Sequence, residues 1–133
     1  MDSRNIKAFE ALGEIYNSRQ DFSEAKQTLE HTLKLKEKLA NNQTEELAKL
    51  QAGLTCFTLG AVCQSLKDYG QALEYFKKAL HYEPNNPRYL DRTIELCIIK
   101  EDKSAALDFF KKLKETNPEN NKLGDFKERI AQL

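Results

Sequence analysis

The chain repeats itself. Asp68 is followed 34 residues later by Asp102, Ala72 by Ala106, Phe76 by Phe110 and Pro84 by Pro118. A fixed period of this length narrows the possible folds sharply, because each period is one small helical or strand unit that can bury its apolar face only against its neighbours. Reading backwards, Leu12, Gly13, Tyr16, Asp21 and Ala25 precede Leu59, Gly60, Cys63, Asp68 and Ala72 by 47 residues. The chain therefore holds three units, the first 13 residues longer than the others.

Within a unit the residues read as two helices. The second unit carries Cys56, Leu59, Gly60 and Cys63 on one helix, then Ala72, Phe76, Ala79 and Pro84; the first unit carries Phe9, Leu12, Gly13, Tyr16, Ala25, Leu29 and Thr32. The third carries Leu90, Cys97, Ala106, Phe110, Leu113 and Pro118. A Gly or Ala at a helix crossing lets two backbones approach, and large residues fill the space on either side. Asp21, Asp68 and Asp102 each stand where a second helix would begin, as N-caps whose carboxylates accept from exposed N–H groups. Pro87 after Asn86 marks a helix start, because its missing donor costs nothing at the first helical position.

This pattern resembles the tetratricopeptide repeat, with its large residue, Leu-Gly and aromatic on a first helix and its Ala, aromatic, Ala and closing Pro around a second. The resemblance implies an all-α chain: an α-solenoid of three antiparallel helix hairpins plus a C-terminal capping helix. Residues 1–133 then form a single domain, with repeat 1 at about 6–52, repeat 2 at about 53–86, repeat 3 at about 87–118 and the capping helix at about 119–133. Helices are expected at about 4–17, 22–41, 43–66, 69–82, 86–99 and 103–116. The third unit departs from the pattern by placing Thr93-Ile94 where Leu-Gly is expected, which predicts a wider or differently angled crossing there.

The 13 extra residues fall between Thr32 and Gly53, in strongly helix-forming sequence on both sides of Asn41-Asn42. Both flanking helices should gain one to two turns, as in the longer repeats of kinesin light chains; a disordered loop is the alternative. After Pro118, Leu123, Phe126, Ile130 and Leu133 mark one apolar stripe on an otherwise charged segment, as a solvating cap requires. No such cap precedes Asn5, so either the chain is a fragment or its first unit is self-sufficient.

The 21 basic and 21 acidic residues cancel, so no long-range field favours nucleic acid or anionic lipid. No apolar run spans a membrane and the start lacks a signal-peptide layout, making the cytoplasm the expected compartment. Cys56, Cys63 and Cys97 form no close pair and read as small core residues. His31 and His81 lack partners at metal-ligand spacing and read as solvated surface residues. Phosphate-cradle, nucleophile-elbow and zinc-protease motifs do not occur, which points away from an enzyme and implies no cofactor. The lysines at 34–38, 77–78 and 111–114 fall on second helices and read as solvated faces.

In tetratricopeptide arrays the first helices line a concave, peptide-binding groove. The resemblance places there Lys7, Glu10, Glu14 and Asn17 from the first unit, Leu54, Phe57, Ala61 and Gln64 from the second, and Arg88, Asp91, Arg92 and Glu95 from the third. Phe57 would be either an exposed anchor or a residue covered by the lengthened helices. Repeats that clamp Glu-Glu-Val-Asp tails use Lys and Asn where this chain has Glu10 and Glu14, and Asn where it has Thr58, so a two-carboxylate clamp is rejected even though Arg88 and Arg92 match. The expected function is a protein-protein interaction module, a scaffold or adaptor binding an extended or helical peptide. The alternative is a structural subunit or homo-oligomer that packs through the long hairpin near residues 33–52.

Overall fold

A computed structural model of the chain describes residues 3–42 and 46–133. Seven α-helices run through them: α1 (Ser3–Ser18), α2 (Phe22–Asn42), α3 (Glu46–Ser65), α4 (Tyr69–Tyr82), α5 (Pro87–Ile99), α6 (Lys103–Thr116) and α7 (Leu123–Ala131). The fold is the all-α helical repeat that the resemblance implied. At 21 and 20 residues, α2 and α3 exceed the 14-residue α4 by close to two turns, which locates the extra residues of the first unit. The expected start of the third helix at 43 lies outside the described residues. The capping helix begins at Leu123 rather than near 119, because Asn120 turns the chain: its N–H donates to the Asn117 carbonyl at 3.0 Å and its Oδ1 accepts from the Lys122 N–H at 2.8 Å.

The chain divides into two compact units, Met1–Tyr82 and Glu83–Leu133. In the first, α1 packs on α2, α2 on α3 and α3 on α4. Glycine is required at both Leu-Gly crossings. A Cβ on Gly60 would stand 2.4 Å from Phe76 Cε1, and one on Gly13 would stand 2.8 Å from Leu29 Cδ2. Phe76 is fully buried and Leu29 nearly so, and Cys56, Leu59, Cys63, Ala72 and Ala79 of the same unit have no exposed surface. In the second unit, α5 packs on α6 and both meet α7; Leu90, Ile94, Leu96, Cys97, Leu113 and Phe126 are fully buried. Thr93 and Ile94, where the Leu-Gly pair is missing, are also fully buried, and the Thr93 hydroxyl donates to the Tyr89 carbonyl at 2.7 Å.

The turn between the two helices of every repeat is built alike. Gln20, Lys67 and Glu101 adopt left-handed φ values of 64°, 63° and 58°. The next residue's N–H reaches back to the carbonyl five residues earlier: Asp21 to Tyr16 at 2.8 Å, Asp68 to Cys63 at 2.9 Å and Asp102 to Cys97 at 2.9 Å. This is a Schellman C-cap without glycine, a recurrence at separations of 47 and 34 that side-chain identity does not reveal. The capping role expected of the aspartates is seen at Asp68, whose Oδ1 accepts from the Gln71 N–H at 3.2 Å, and at Asp102, which accepts from Ala105 at 3.1 Å. Asn86 accepts from the Arg88 and Tyr89 N–H groups ahead of Pro87.

Candidate functional site

The stripe that packs α2 against its neighbours runs Ala25, Leu29, Leu33, Lys36, and all four are buried. A lysine therefore occupies a core position, and the expectation of a wholly solvated basic run at 34–38 is corrected there. At 4% exposure the ammonium needs partners, and two helices supply them. Lys36 Nζ lies 3.0 Å from Glu10 Oε1 on α1 and donates to Thr55 Oγ1 on α3 at 2.9 Å. The Thr55 hydroxyl in turn donates to the Gln51 carbonyl at 3.1 Å. One cation thus ties α1, α2 and α3 together on the first-helix face.

Beside this link opens a cleft of about 210 Å³ lined by Glu10, Glu14, Leu29, Leu54, Thr55 and Thr58. Glu14 lies one turn beyond Glu10 on the same helix face, is exposed, and has no ion-pair partner among the described residues. Because Lys36 balances Glu10, the cleft carries the single negative charge of Glu14. Its apolar wall is Leu54, which is 46% exposed. The structure thus brings three of the expected groove residues, Glu10, Glu14 and Leu54, to one site. Lys7 is exposed, and Asn17, Ala61 and Gln64 are half-buried.

Phe57 is not an open anchor. It is 9% exposed, with its ring centroid 5.7 Å from that of Phe76, so it belongs to the core of the first unit. In the second unit, Asp91 and Glu95 hold the capping segment. Asp91 accepts from Asn120 Nδ2 at 3.2 Å and pairs with Lys122 at 3.6 Å, and Glu95 pairs with Arg129 at 3.6 Å. Arg88 is exposed and Arg92 half-buried. His31 is exposed as expected but also meets the Phe9 ring edge-on at 4.7 Å.

Sequence reasoning missed Lys36, Leu29 and Thr55. The signal was the spacing 25, 29, 33, 36, which puts the lysine on an otherwise apolar stripe. The cysteines are buried free thiols. Burial first, and then the Glu37 charge, pushes the Cys56 thiol up to about 12; burial pushes Cys63 up to about 11. Both stay protonated at neutral pH and are poor nucleophiles. The Tyr75 hydroxyl is also pushed up, first by burial and then by donating to Glu30 Oε2 at 2.6 Å.

Stacked helix hairpins with glycine crossings define a helical-repeat protein. Family models of the tetratricopeptide repeat match residues 6–39 and 54–86, together half of the chain, and the protein belongs to that family. No curated protein matches it in sequence. Among solved structures it is similar to PilF of Pseudomonas aeruginosa, with a TM-score of 0.71 and 21% identity over 98% of this chain. The chain spans 54% of PilF. It is also similar to SycD, a type III secretion chaperone of Yersinia enterocolitica solved with a peptide of the translocator YopD, at a TM-score of 0.69 and 13% identity over 98% of this chain and 90% of that one. PcrH of Pseudomonas aeruginosa, solved with the chaperone-binding region of PopB, gives 0.67 and 18% over 99% of this chain and 96% of that one.

Proposed function

We propose that the protein is an interaction module that binds a peptide segment of a partner on the α1/α3 face of its first unit, acting as scaffold or adaptor in the cytoplasm without bond making. The observation that carries this reading is the cleft beside the Glu10–Lys36–Thr55 link: an apolar wall at Leu54 next to the unpaired carboxylate of Glu14. Such a cleft suits an extended or helical segment that places an aliphatic side chain on Leu54 and a basic group on Glu14. The structural likeness to SycD and PcrH, each solved with a partner peptide, supports a peptide as the ligand. Neither acid favours a carboxylate tail. No described helix is long and apolar enough to cross a membrane.

The test is an array of synthetic peptides that vary aliphatic and basic positions, probed with the wild-type chain and with Glu14→Lys and Leu54→Ala. Both side chains are exposed, so each variant should melt as wild type does while losing roughly tenfold in affinity for basic-aliphatic peptides. Unchanged binding in both variants refutes the site. Glu10→Lys is the wrong probe, because it strands Lys36. A second reading, assembly through the long hairpin, is favoured by Leu47 at 62% and Leu50 at 41% exposure on the first turns of α3. It expects a concentration-dependent dimer in light scattering that Leu47→Glu abolishes.

A further inference from the structure

The second unit carries a pocket that the peptide-binding reading does not use. Between α6 and α7 lies a cavity of about 260 Å³ lined by Lys103, Leu107, Phe110, Lys127, Ile130 and Ala131. Its floor is apolar: Ile130 is buried, Phe110 half-buried, and Leu107 remains 42% exposed. Each helix contributes one lysine, Lys103 from α6 and Lys127 from α7. Both are exposed, and neither has an acidic partner among the described residues. Lys114 stands one turn beyond Phe110 on α6, exposed and likewise unpaired, so it extends the basic edge along the same helix face.

Asp108 and Glu115 stand at helical spacing from Lys111, but no acid of α6 or α7 stands three or four residues from Lys103 or Lys127 on its own helix. Asp102 caps α6 through the Ala105 N–H, and Asp125 is held by Arg129 at 3.2 Å. Asp108 and Glu128 follow Leu107 and Lys127 in sequence and so point about 100° away round their helices. The chain as a whole is neutral, so this local excess of cations over an apolar floor is a feature of the site rather than of the composition.

We propose that the α6/α7 pocket docks an acidic amphipathic helix of a partner protein, with one aliphatic side chain entering the pocket and carboxylates one turn to either side meeting the lysines. Charge complementarity selects the partner: cationic edges over an apolar floor exclude basic segments and favour Asp/Glu-flanked ones. The concavity selects a side chain over a lipid surface, since insertion into a bilayer needs apolar residues that protrude, whereas here Ile130 is buried and Phe110 half-buried.

The test uses the full chain and a fluorescein-labelled helical peptide of about 16 residues, with Leu at every third or fourth position and Glu on either side. A counterpart carries Lys in place of each Glu. Saturable binding of the Glu peptide alone is expected, weakened roughly tenfold by the combined Lys103→Glu and Lys127→Glu variant and by Leu107→Asp. Lys112→Glu, on the far side of α6, leaves it unchanged. All variants replace exposed side chains, and their melting curves establish that they fold. The proposal is overturned by no saturation up to about 1 mM, by equal binding of the Lys peptide, or by affinity within twofold of wild type in the charge-reversed variant. Binding to phosphatidylserine vesicles in place of the Glu peptide also overturns it.

Discussion

A single lysine shows how far position outweighs residue type in this molecule. Lys36 is chemically the same as its exposed neighbours Lys34 and Lys38, yet it sits on the stripe that α2 buries, and its charge is carried by Glu10 and Thr55. The two ends of this pair are unequal. Lys36→Met keeps the aliphatic volume and returns Glu10, which retains 34% of its side-chain surface, to water. Stability should stay within about 1 kcal/mol of wild type or rise. Glu10→Ala instead leaves a buried ammonium with one neutral partner. It should cost about 2 kcal/mol, below the figure for a fully buried pair because Glu10 is partly solvated. Urea midpoints decide the matter, and a costlier Lys36→Met would refute the asymmetry. The cysteines give a second test. Their folded thiols titrate above the usual 9.0, so the unfolded chain loses protons first as pH rises. Their contribution to stability is complete below pH 9 and shrinks above it. At pH 8, iodoacetamide should leave Cys56 and Cys63 of the folded protein unmodified while alkylating them in urea.

The helices are joined by two devices that differ in how visible they are in sequence. The glycine crossing is visible, and its energetics are testable by pairing Gly60 with Gly70. Gly60→Ala forces a Cβ into the Phe76 ring and should destabilise by about 1–2 kcal/mol even after the gain in helix propensity. Gly70→Ala, with nothing within 4 Å of the new Cβ, should stabilise by up to about 0.5–1 kcal/mol. Thermal unfolding of the two variants should move in opposite directions. The left-handed turn is not visible, because Gln20, Lys67 and Glu101 share no chemistry. Each holds a non-glycine residue where glycine is favoured, and Lys67→Gly should raise stability by a few tenths to about 1 kcal/mol, read as a higher melting temperature. The late start of α7 has the same kind of cause. Pro118 ends one helix in any reading, but only the Asn120 hydrogen bonds show that the next four residues form a turn.

Across the whole chain, 21 cations balance 21 anions and the isoelectric point is near 6.7. Repulsion between molecules is weakest near that pH. Light scattering at fixed concentration should rise toward pH 6.7 and fall at pH 8.5. If it is flat, local patches rather than net charge govern association, as the exposed Leu47 and Leu50 or the α6/α7 pocket would provide. The sequence alone determined the helical class, the glycine crossings and the lengthened first unit, because all of these follow from short-range periodicity and steric demand. It also placed Glu10, Glu14 and Leu54 on one face. Only the tertiary structure decided that Phe57 belongs to the core, that Lys36 reaches the first-helix face, that Asp91 and Glu95 hold the capping segment, and that lysines of α6 and α7 rim an apolar pocket. Each of these depends on which side chains from distant segments meet and exclude water, a property of packing that a period along the chain does not encode.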